Sequence, residues 1–328
     1  LDRYDLPRIS LAGLILLSAV LLFCSYASNY NLFLMAMALT GIFSALVPAS
    51  MFPHIAKTSP VSKIGFYMGS IVASGTLGVI FGRVTMGILT SIVGWQSSFR
   101  IFSILILILS ALTYVYLVEN RIKVSDELPA LKKLYANSIR LLLTPKVLSM
   151  LLAGFFLFVG FLGMITFLTY RLVEPPFYYS SSEIGWISFA GITALIAPFA
   201  GMIAQKVSTF KIIILSLFLS LLSFQLMGWF ESVILIVVGL LLLFLSVYTF
   251  QPLLFILVGQ NVSSESIGSA SSLYILFCIG GGSLASVFLG PVWQSYGWAG
   301  VTITCSGFLI ISLLIVSVIA IKERAESI

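Results

Sequence analysis

The chain repeats its own glycine pattern at an offset of 203 residues. Each copy opens at a glycine, passes through a long apolar run and closes on a Gly-Trp pair. The aligned positions are Gly65 with Gly268, Gly78 with Gly281, Gly87 with Gly290, and Gly94-Trp95 with Gly297-Trp298. The offset also carries Arg8 onto Lys211, each at the start of an apolar run. Coincidences at one fixed offset predict two duplicated sets of structural elements.

Apolar runs occupy most of the chain. Hydrophobic residues make up 60% of the sequence and charged residues 9%, whereas about a quarter of residues are charged in soluble domains. A helix of about 20 apolar residues crosses the hydrocarbon layer of a membrane. Runs of that length lie at 9–27, 31–50, 66–93, 97–118, 147–170, 181–204, 210–229, 232–258, 266–293 and 297–321. The sequence therefore predicts an all-α polytopic membrane protein with ten transmembrane helices, because the strands of a membrane barrel would alternate in polarity.

The basic residues give an orientation, because cytoplasmic loops carry an excess of Lys and Arg. Placing both visible termini in the cytoplasm puts fourteen of the seventeen basic residues inside and leaves only Arg83, Arg100 and Arg171. The net charge of +6 is thus a topology signal, and no single basic patch indicates a nucleic-acid partner. We expect a multi-pass protein of the cell membrane, surrounded by the lipid bilayer.

One long polar connection divides the chain into three parts. Residues 1–118 form a partial N-terminal helix bundle of four spans, 119–146 a cytoplasmic central loop, and 147–328 a C-terminal bundle of six spans. Apolar residues at helical spacing predict an amphipathic surface helix from Ser125 to Arg140. Ser180 and Glu183, three residues apart before an apolar run, have the pattern of a capping box.

The repeat also predicts that helices are missing from the first half. The second unit has two apolar runs before residue 204, whereas nothing precedes the equivalent position, Leu1. On this interpretation the chain is truncated at its N-terminus and lacks two helices.

Asp2-Arg3 and Arg8 lie on a cytoplasmic loop before a span, and they resemble the end of the Asp-Arg-x-Gly-Arg-Arg signature of the major facilitator superfamily. The half-chain repeat and the basic central loop resemble this family too. The run at 66–93, with its glycines and Arg83, looks like that of bacterial efflux permeases, including the drug:proton antiporter and sugar-efflux-like groups. Two features depart from these signatures. Asp5 and Pro7 replace parts of the Asp-Arg-x-Gly-Arg-Arg signature, and the run 66–93 lacks the Gly-Pro pair of the antiporter signature.

This resemblance implies two pseudo-symmetric helix bundles of the major facilitator type, with the ten runs as the third to twelfth of twelve helices. It implies a secondary transporter that works by alternating access. It also implies that Asp2, Arg3 and Arg8 form a cytoplasmic latch between neighbouring helices. The alternative interpretation of these three residues is a simple positive-inside anchor.

Arg83 lies near the middle of the run 66–93, where a charged residue costs roughly 3 kcal/mol to insert. It should therefore point into the bundle. Two interpretations remain open: Arg83 attracts a polar or anionic substrate or a carboxylate, or it binds backbone carbonyls and locks its helix. Asp and Glu residues occur only in loops and near the ends of the runs, so a coupling carboxylate would have to lie in the missing helices.

The other candidate positions are polar or small residues within apolar runs. Gln251, next to the helix-breaking Pro252, is a candidate for the substrate-binding site with Arg83. Glycines allow helices to approach closely, either as static packing or as a surface that slides during gating. The predicted packing and gating positions are Gly75, Gly78, Gly82, Gly87, Gly281 and Gly290.

The resulting prediction is a transporter, an efflux permease for a small-molecule substrate, with protons as a possible coupling ion and the monomer as the expected state. The alternative is a membrane protein without transport of its own: a sensor, an assembly partner or a truncated remnant. The sequence holds no His, Cys or acidic cluster with catalytic or metal-binding spacing. We therefore predict no enzyme activity, no catalytic residue, no metal and no cofactor.

Overall fold

The computed structural model describes residues 5–60, 63–119, 131–196, 199, 208–263 and 266–326, and these residues are helical apart from short connections. The α-helices are α1 (Leu6–Cys24), α2 (Tyr30–Thr58), α3 (Ile64–Thr113), α4 (Leu131–Leu142), α5 (Pro145–Val173), α6 (Ser181–Ile187), α7 (Thr209–Trp229), α8 (Val233–Gln260) and α9 (Ile267–Glu326). A π-helical turn, Tyr114–Glu119, extends α3, and a 3-10 helix, Ser188–Ile196, follows α6.

Seven helices in the described part of the chain are long and apolar enough to cross a membrane. They are α1, α2, α3, α5, α7, α8 and α9. Helix α5 starts at Pro145, two residues before the predicted run at 147–170. The all-α polytopic class is confirmed. The count of ten spans stays a prediction.

The 203-residue offset is present in the helix boundaries. The starts of α1, α2 and α3 at residues 6, 30 and 64 are matched by the starts of α7, α8 and α9 at 209, 233 and 267. Both α3 and α9 are interrupted at the aligned glycine, with φ 79° and ψ 164° at Gly94 and φ 57° and ψ −151° at Gly297. Glycine reaches this conformation because it has no Cβ. The duplication predicted from the glycine pattern is therefore confirmed by the backbone.

The Cα positions divide into two compact units: unit 1 is Leu1–Ser59 with Thr85–Tyr135, and unit 2 is Pro60–Val84 with Ala136–Ile328. In unit 1, α1 packs along α2 and against the C-terminal half of α3. Ser18 and Ser103 join α1 to α3, since each hydroxyl donates to the other residue's carbonyl at 2.8 and 2.7 Å. In unit 2, α5 is the central helix, and Met150, Leu157 and Met164 on it are fully buried.

Two predicted segments differ from the structure. The run at 181–204 begins as α6 but tightens into the 3-10 helix at Ser188, where the Thr193 hydroxyl lies 3.1 Å from the Ala190 carbonyl and 3.0 Å from that of Leu241. Side-chain bonds of this kind compete with the regular helical ladder. The amphipathic helix expected over 125–140 is present as α4 from Leu131, and residues 120–130 lie outside the described part of the chain.

Candidate functional site

Arg83 lies in α3, in the part of that helix that belongs to unit 2. The neighbouring residues of α3 pack on the segment 185–191. A methyl group added at Gly191 would lie 2.6 Å from the Ile80 side chain, and one added at Gly185 would lie 3.9 Å from the Val84 Cα. The Phe81 and Phe189 rings meet edge to face with centroids 6.0 Å apart.

Arg83 flanks this contact instead of entering it. Successive helical residues are about 100° apart around the axis, so Ile80, Phe81 and Val84 share one face and Arg83 lies roughly 100° from its centre. The Arg83 residue is exposed in the structure. Among the side chains that are described, none makes an ion pair or a hydrogen bond with it. The predicted lock on described backbone carbonyls is not observed.

Aromatic rings continue from this contact within unit 2. Trp186 stacks on Phe189 with centroids 5.3 Å apart, and the Trp186 side chain is 58% exposed. On the other side, Phe244 on α8 lies 3.4 Å from the position of a methyl group at Gly191. Phe244 is parallel to Tyr248 at 6.0 Å, and Phe161 on α5 meets both rings edge to face.

Gln251 lies on the same stripe of α8 as Phe244 and Tyr248, because positions seven and three residues apart fall on one helix face. Gln251 is half-buried. Its backbone carbonyl accepts a 2.9 Å hydrogen bond from the hydroxyl of Tyr274 on α9, a side chain that is 2% exposed. Pro252 has no N–H, so it donates no backbone hydrogen bond within α8. The structure thus joins Gln251 to α9, and no described hydrogen bond joins it to Arg83.

The predicted packing glycines have different surroundings. A methyl group at Gly281 would lie 2.5 Å from the Phe155 carbonyl oxygen on α5, so this glycine allows close packing within unit 2. At Gly75, Gly78, Gly82 and Gly290 an added methyl group would meet no described neighbour within 4 Å. The first three of these share the face of α3 opposite the Ile80 contact. Close packing, which we expected at all of them, is found at Gly281.

The proposed latch is described only in part, because Asp2 and Arg3 lie outside the described residues. Arg8 forms an ion pair with Asp5 at 3.2 Å. His54, beyond the apolar part of α2, is also near Asp5: burial lowers the pKa of His54, and the Asp5 charge opposes that shift. The end of unit 1 that carries Arg8 therefore holds several interacting charges.

The capping box at the start of α6 is confirmed. The Ser180 backbone N–H and hydroxyl donate to a Glu183 carboxylate oxygen at 2.8 and 2.7 Å, and the Glu183 N–H lies 3.3 Å from the Ser180 hydroxyl oxygen. The Glu183 carboxylate therefore accepts the hydrogen bonds that cap this helix. Glu183 is thus a structural residue in this structure.

Several polar contacts between helices were not predicted. Gln225 on α7 donates to the Ser306 hydroxyl on α9 at 3.0 Å and accepts from Trp229 at 2.7 Å. Ser220 and Ser246 are 2.7 Å apart, joining α7 to α8. The offset of 203 residues carries Ser103 onto Ser306. A search for polar residues at aligned positions would therefore have found this pair.

No group of three His, Cys, Asp or Glu side chains that could hold a metal occurs in the described part of the chain. The three cysteines are free and buried. The functional groups at or next to the Ile80 contact are the Arg83 guanidinium, the Trp186 indole and the phenyl rings of Phe81 and Phe189.

The sequence matches the family model for the Major Facilitator Superfamily over residues 1–286. It is 26% identical to an uncharacterized transporter of Buchnera aphidicola subsp. Schizaphis graminum, covering 98% of this chain and 77% of that protein. It is also 26% identical to the inner membrane transport protein YnfM of Escherichia coli K12, covering 96% of this chain and 75% of that protein.

Solved structures share the fold. The E. coli fucose:proton symporter FucP has a TM-score of 0.73 and 15% identity, with 97% of this chain and 85% of that chain covered. A second FucP structure, in the outward conformation, also has a TM-score of 0.73, with 14% identity and coverage of 97% and 84%. At this identity the likeness establishes the fold alone. Because the family model spans most of its length, the chain belongs to the major facilitator superfamily.

Proposed function

We propose that this superfamily member exports a small polar or anionic molecule by alternating access, with Arg83 as the charged group of the substrate site. Transport by a multi-pass membrane protein follows from the family. Export, the kind of substrate and the site residues are the proposal.

The placement of Arg83 carries this proposal. An arginine in an apolar span is costly unless its charge meets water or a polar partner, and Arg83 is exposed with no partner among the described side chains. A guanidinium binds carboxylate or phosphate through paired hydrogen bonds. Phe81, two residues before Arg83, meets Phe189, and Phe189 stacks on Trp186, so apolar and aromatic surface lies on the face of α3 next to the one that carries Arg83. This combination favours a ligand with one negative or polar group and a planar or apolar body.

Gln251 is proposed as a second, separate contact along the path. In the predicted topology α3 runs outward and α8 runs inward. Arg83 is three residues beyond Ile80, about 4.5 Å along α3, whereas Gln251 is seven residues beyond Phe244, about 10.5 Å along α8. The two candidates therefore lie on opposite sides of the contact that Ile80 and Phe244 share at Gly191. A substrate would meet Gln251 from the cytoplasm and Arg83 nearer the exterior.

The number of spans and the orientation are part of the proposal. α3 and α9 contain 50 and 60 residues, or about 75 and 90 Å of helix, so we propose that each crosses the membrane twice and turns at its interrupted glycine. With the run at 181–204 these make ten spans, and both visible termini lie in the cytoplasm of a cell-membrane protein. The numbering of these spans as the third to twelfth of twelve stays a prediction.

The bundle division at 1–118, 119–146 and 147–328 is likewise a proposal. The face of α3 that carries Gly75, Gly78 and Gly82 meets no described neighbour within 4 Å, so it is available to close on another helix when access alternates. Gly87 and Gly290 are proposed to act in the same step. The latch of Asp2, Arg3 and Arg8 would hold the outward-facing state, and the monomer is the proposed working unit.

Proton coupling is also part of the proposal. In the apolar helices of the described chain, the only acids are near helix ends, such as Glu323 of α9. A buried titrating carboxylate is thus not among the described residues. A coupled protein of this kind would need its titrating group elsewhere.

Transport into membrane vesicles tests the proposal. Inside-out and right-side-out vesicles would be incubated with external fluorescent organic anions, organic cations or neutral sugars, with and without an imposed proton gradient. We expect accumulation of an anionic or polar probe in inside-out vesicles, loss of transport in Arg83→Ala, and partial retention in Arg83→Lys. Ser286→Ala, at the aligned position of the second half, is the matched control.

The outcomes separate the parts of the proposal. Equal transport by the parent and Arg83→Ala would refute the role of Arg83. Accumulation only in right-side-out vesicles would refute export. Transport that is unaffected by the gradient would exclude proton coupling.

A further inference from the structure

A cavity of about 550 Å³ opens between the start of α5 and the end of α9, within unit 2. Its α9 residues begin at Leu314, seventeen residues beyond the break at Gly297, and Gln251 is not part of its lining. Its lining is apolar on one side and basic on the other. None of the residues proposed for transport takes part in it.

The α9 side of the cavity is ordered along the helix axis. Leu314, Val318 and Lys322 follow one another at four-residue spacing, so they form a single stripe. Leu314 is 60% exposed and Val318 is 52% exposed. The stripe therefore passes from exposed apolar side chains within the membrane span to a lysine at its end. A phospholipid has the same order, from acyl chain to charged headgroup.

The basic end of the cavity contains two lysines and one acid. Lys146 on α5 forms an ion pair with Glu323 at 2.6 Å, while the structure shows no carboxylate partner for Lys322 among the described side chains. A partly exposed ion pair adds little stability, so a phosphate can compete with Glu323 for Lys146. These three side chains carry one net positive charge.

The segment next to the cavity, at the end of α4, exposes side chains suited to the membrane surface. Leu143 and Ile139, at the end of α4 and just after it, are 76% and 59% exposed, and Arg140 between them is exposed too. The Thr144 side chain makes no capping bond to α5, which leaves the partial positive charge of that helix start available. Apolar and basic side chains thus alternate at the level where headgroups lie.

From this arrangement we propose that the cavity binds one anionic phospholipid. The phosphate contacts Lys322 and Lys146, and an acyl chain lies along Val318 and Leu314. A zwitterionic lipid is a poorer ligand because it adds a positive group next to the lysines. Basic pockets between transmembrane helices recognise anionic headgroups by the same chemistry. The site is independent of the substrate path and of the direction of transport.

Lipid binding to the purified full chain tests the proposal. Native mass spectrometry would count bound molecules during titration with phosphatidylglycerol, phosphatidylethanolamine or soluble glycerol phosphate. We expect preferential binding of phosphatidylglycerol, a decrease of about fivefold in Lys322→Gln, and an increase in Glu323→Gln, which frees Lys146. Lys211→Gln, which removes an exposed lysine from the start of α7, should bind like the parent.

Three results would overturn the proposal. Equal binding of phosphatidylethanolamine would indicate a non-selective apolar surface. Equal losses in Lys322→Gln and Lys211→Gln would indicate diffuse charge attraction instead of a site. Binding of glycerol phosphate as tightly as phosphatidylglycerol would identify a soluble phosphate compound as the ligand. Val318→Ser separates the acyl contact, because it should weaken the lipid and leave glycerol phosphate unaffected.

Discussion

Helices α3 and α9 are two copies of one backbone pattern in different surroundings. They start 203 residues apart at Ile64 and Ile267, and both are interrupted at the aligned glycine. The first half of α9 packs closely on α5, where Gly281 faces the Phe155 carbonyl. At Gly78, the aligned position in α3, no described neighbour lies within 4 Å. The duplication thus preserves where helices start and break, while the packing of each copy has diverged.

Polar residues diverge in a similar way. The position aligned with Arg83 is Ser286, and both residues are exposed. Because the second copy forms the same interrupted helix without a basic residue there, the fold does not require a charge at this position. This favours a functional role for Arg83 over a structural one.

Moving the charge from one copy to the other should have the largest effect. Arg83→Ser removes charged hydrogen bonds to the substrate, so we expect transport in vesicles to fall about 10- to 100-fold. The double variant Arg83→Ser/Ser286→Arg has the parent net charge but places the guanidinium in the other copy. It should remain as defective as the single variant.

The folded state of both variants would be checked by thermal unfolding in detergent. Recovery of transport in the double variant would show that the two copies are equivalent and that only the total charge matters. Such a result would remove the distinction between α3 and α9 at this position.

The glycines that interrupt α3 and α9 should be equally sensitive to substitution by alanine. Gly94 and Gly297 have positive φ with extended ψ, a region that costs other residues about 1–3 kcal/mol. We expect Gly94→Ala and Gly297→Ala each to lower the melting temperature in detergent. Gly307→Ala is the control, because that glycine has ordinary helical φ and no described neighbour within 4 Å. A neutral result at only one break would show that the two turns are not equivalent.

Alanine substitutions at Gly281 and Gly78 should have opposite effects on stability. Alanine stabilises a helix relative to glycine by about 1 kcal/mol, and Gly78→Ala has open space to realise this gain. At Gly281 the added methyl group would lie 2.5 Å from a backbone oxygen, and overpacking costs about 1–3 kcal/mol. Thermal unfolding should therefore show Gly281→Ala less stable than the parent and Gly78→Ala at least as stable. Equal shifts would contradict the packing difference.

Much of the fold could be predicted, because helix length in a membrane is set by hydrocarbon thickness. The run ending at Gly94-Trp95 predicted the break in α3 correctly, since glycine there reaches a backbone conformation closed to other residues. The 3-10 helix at Ser188–Ile196 could not be predicted. It depends on a bond from Thr193 to the Leu241 carbonyl, and hydropathy carries no information about partners in another helix.

The candidate site was predictable only where a residue was unusual. Arg83 stood out because a charge in an apolar run is rare. Trp186 and Phe189 did not, since aromatic residues are common in membrane helices and their link to α3 depends on the packing of Phe189 against Phe81. The Tyr274 bond to the Gln251 carbonyl was equally hidden, because it requires the register between α8 and α9.

The smallest expected difference concerns the serines aligned by the repeat. Ser103 is buried with Ser18 in unit 1, and Ser306 is half-buried with Gln225 in unit 2. A hydrogen bond between membrane helices contributes about 0.6 kcal/mol on average. Double-mutant cycles from thermal or denaturant unfolding would combine Ser306→Ala with Gln225→Leu, and Ser103→Ala with Ser18→Ala. We expect the larger coupling for the buried pair, because its two hydroxyl oxygens lie 3.1 Å apart in a more buried site, where a hydrogen bond is electrostatically stronger. A larger coupling at Ser306 would show that bonding to an amide outweighs burial, and that the half-buried pair of unit 2 makes the stronger contact between helices.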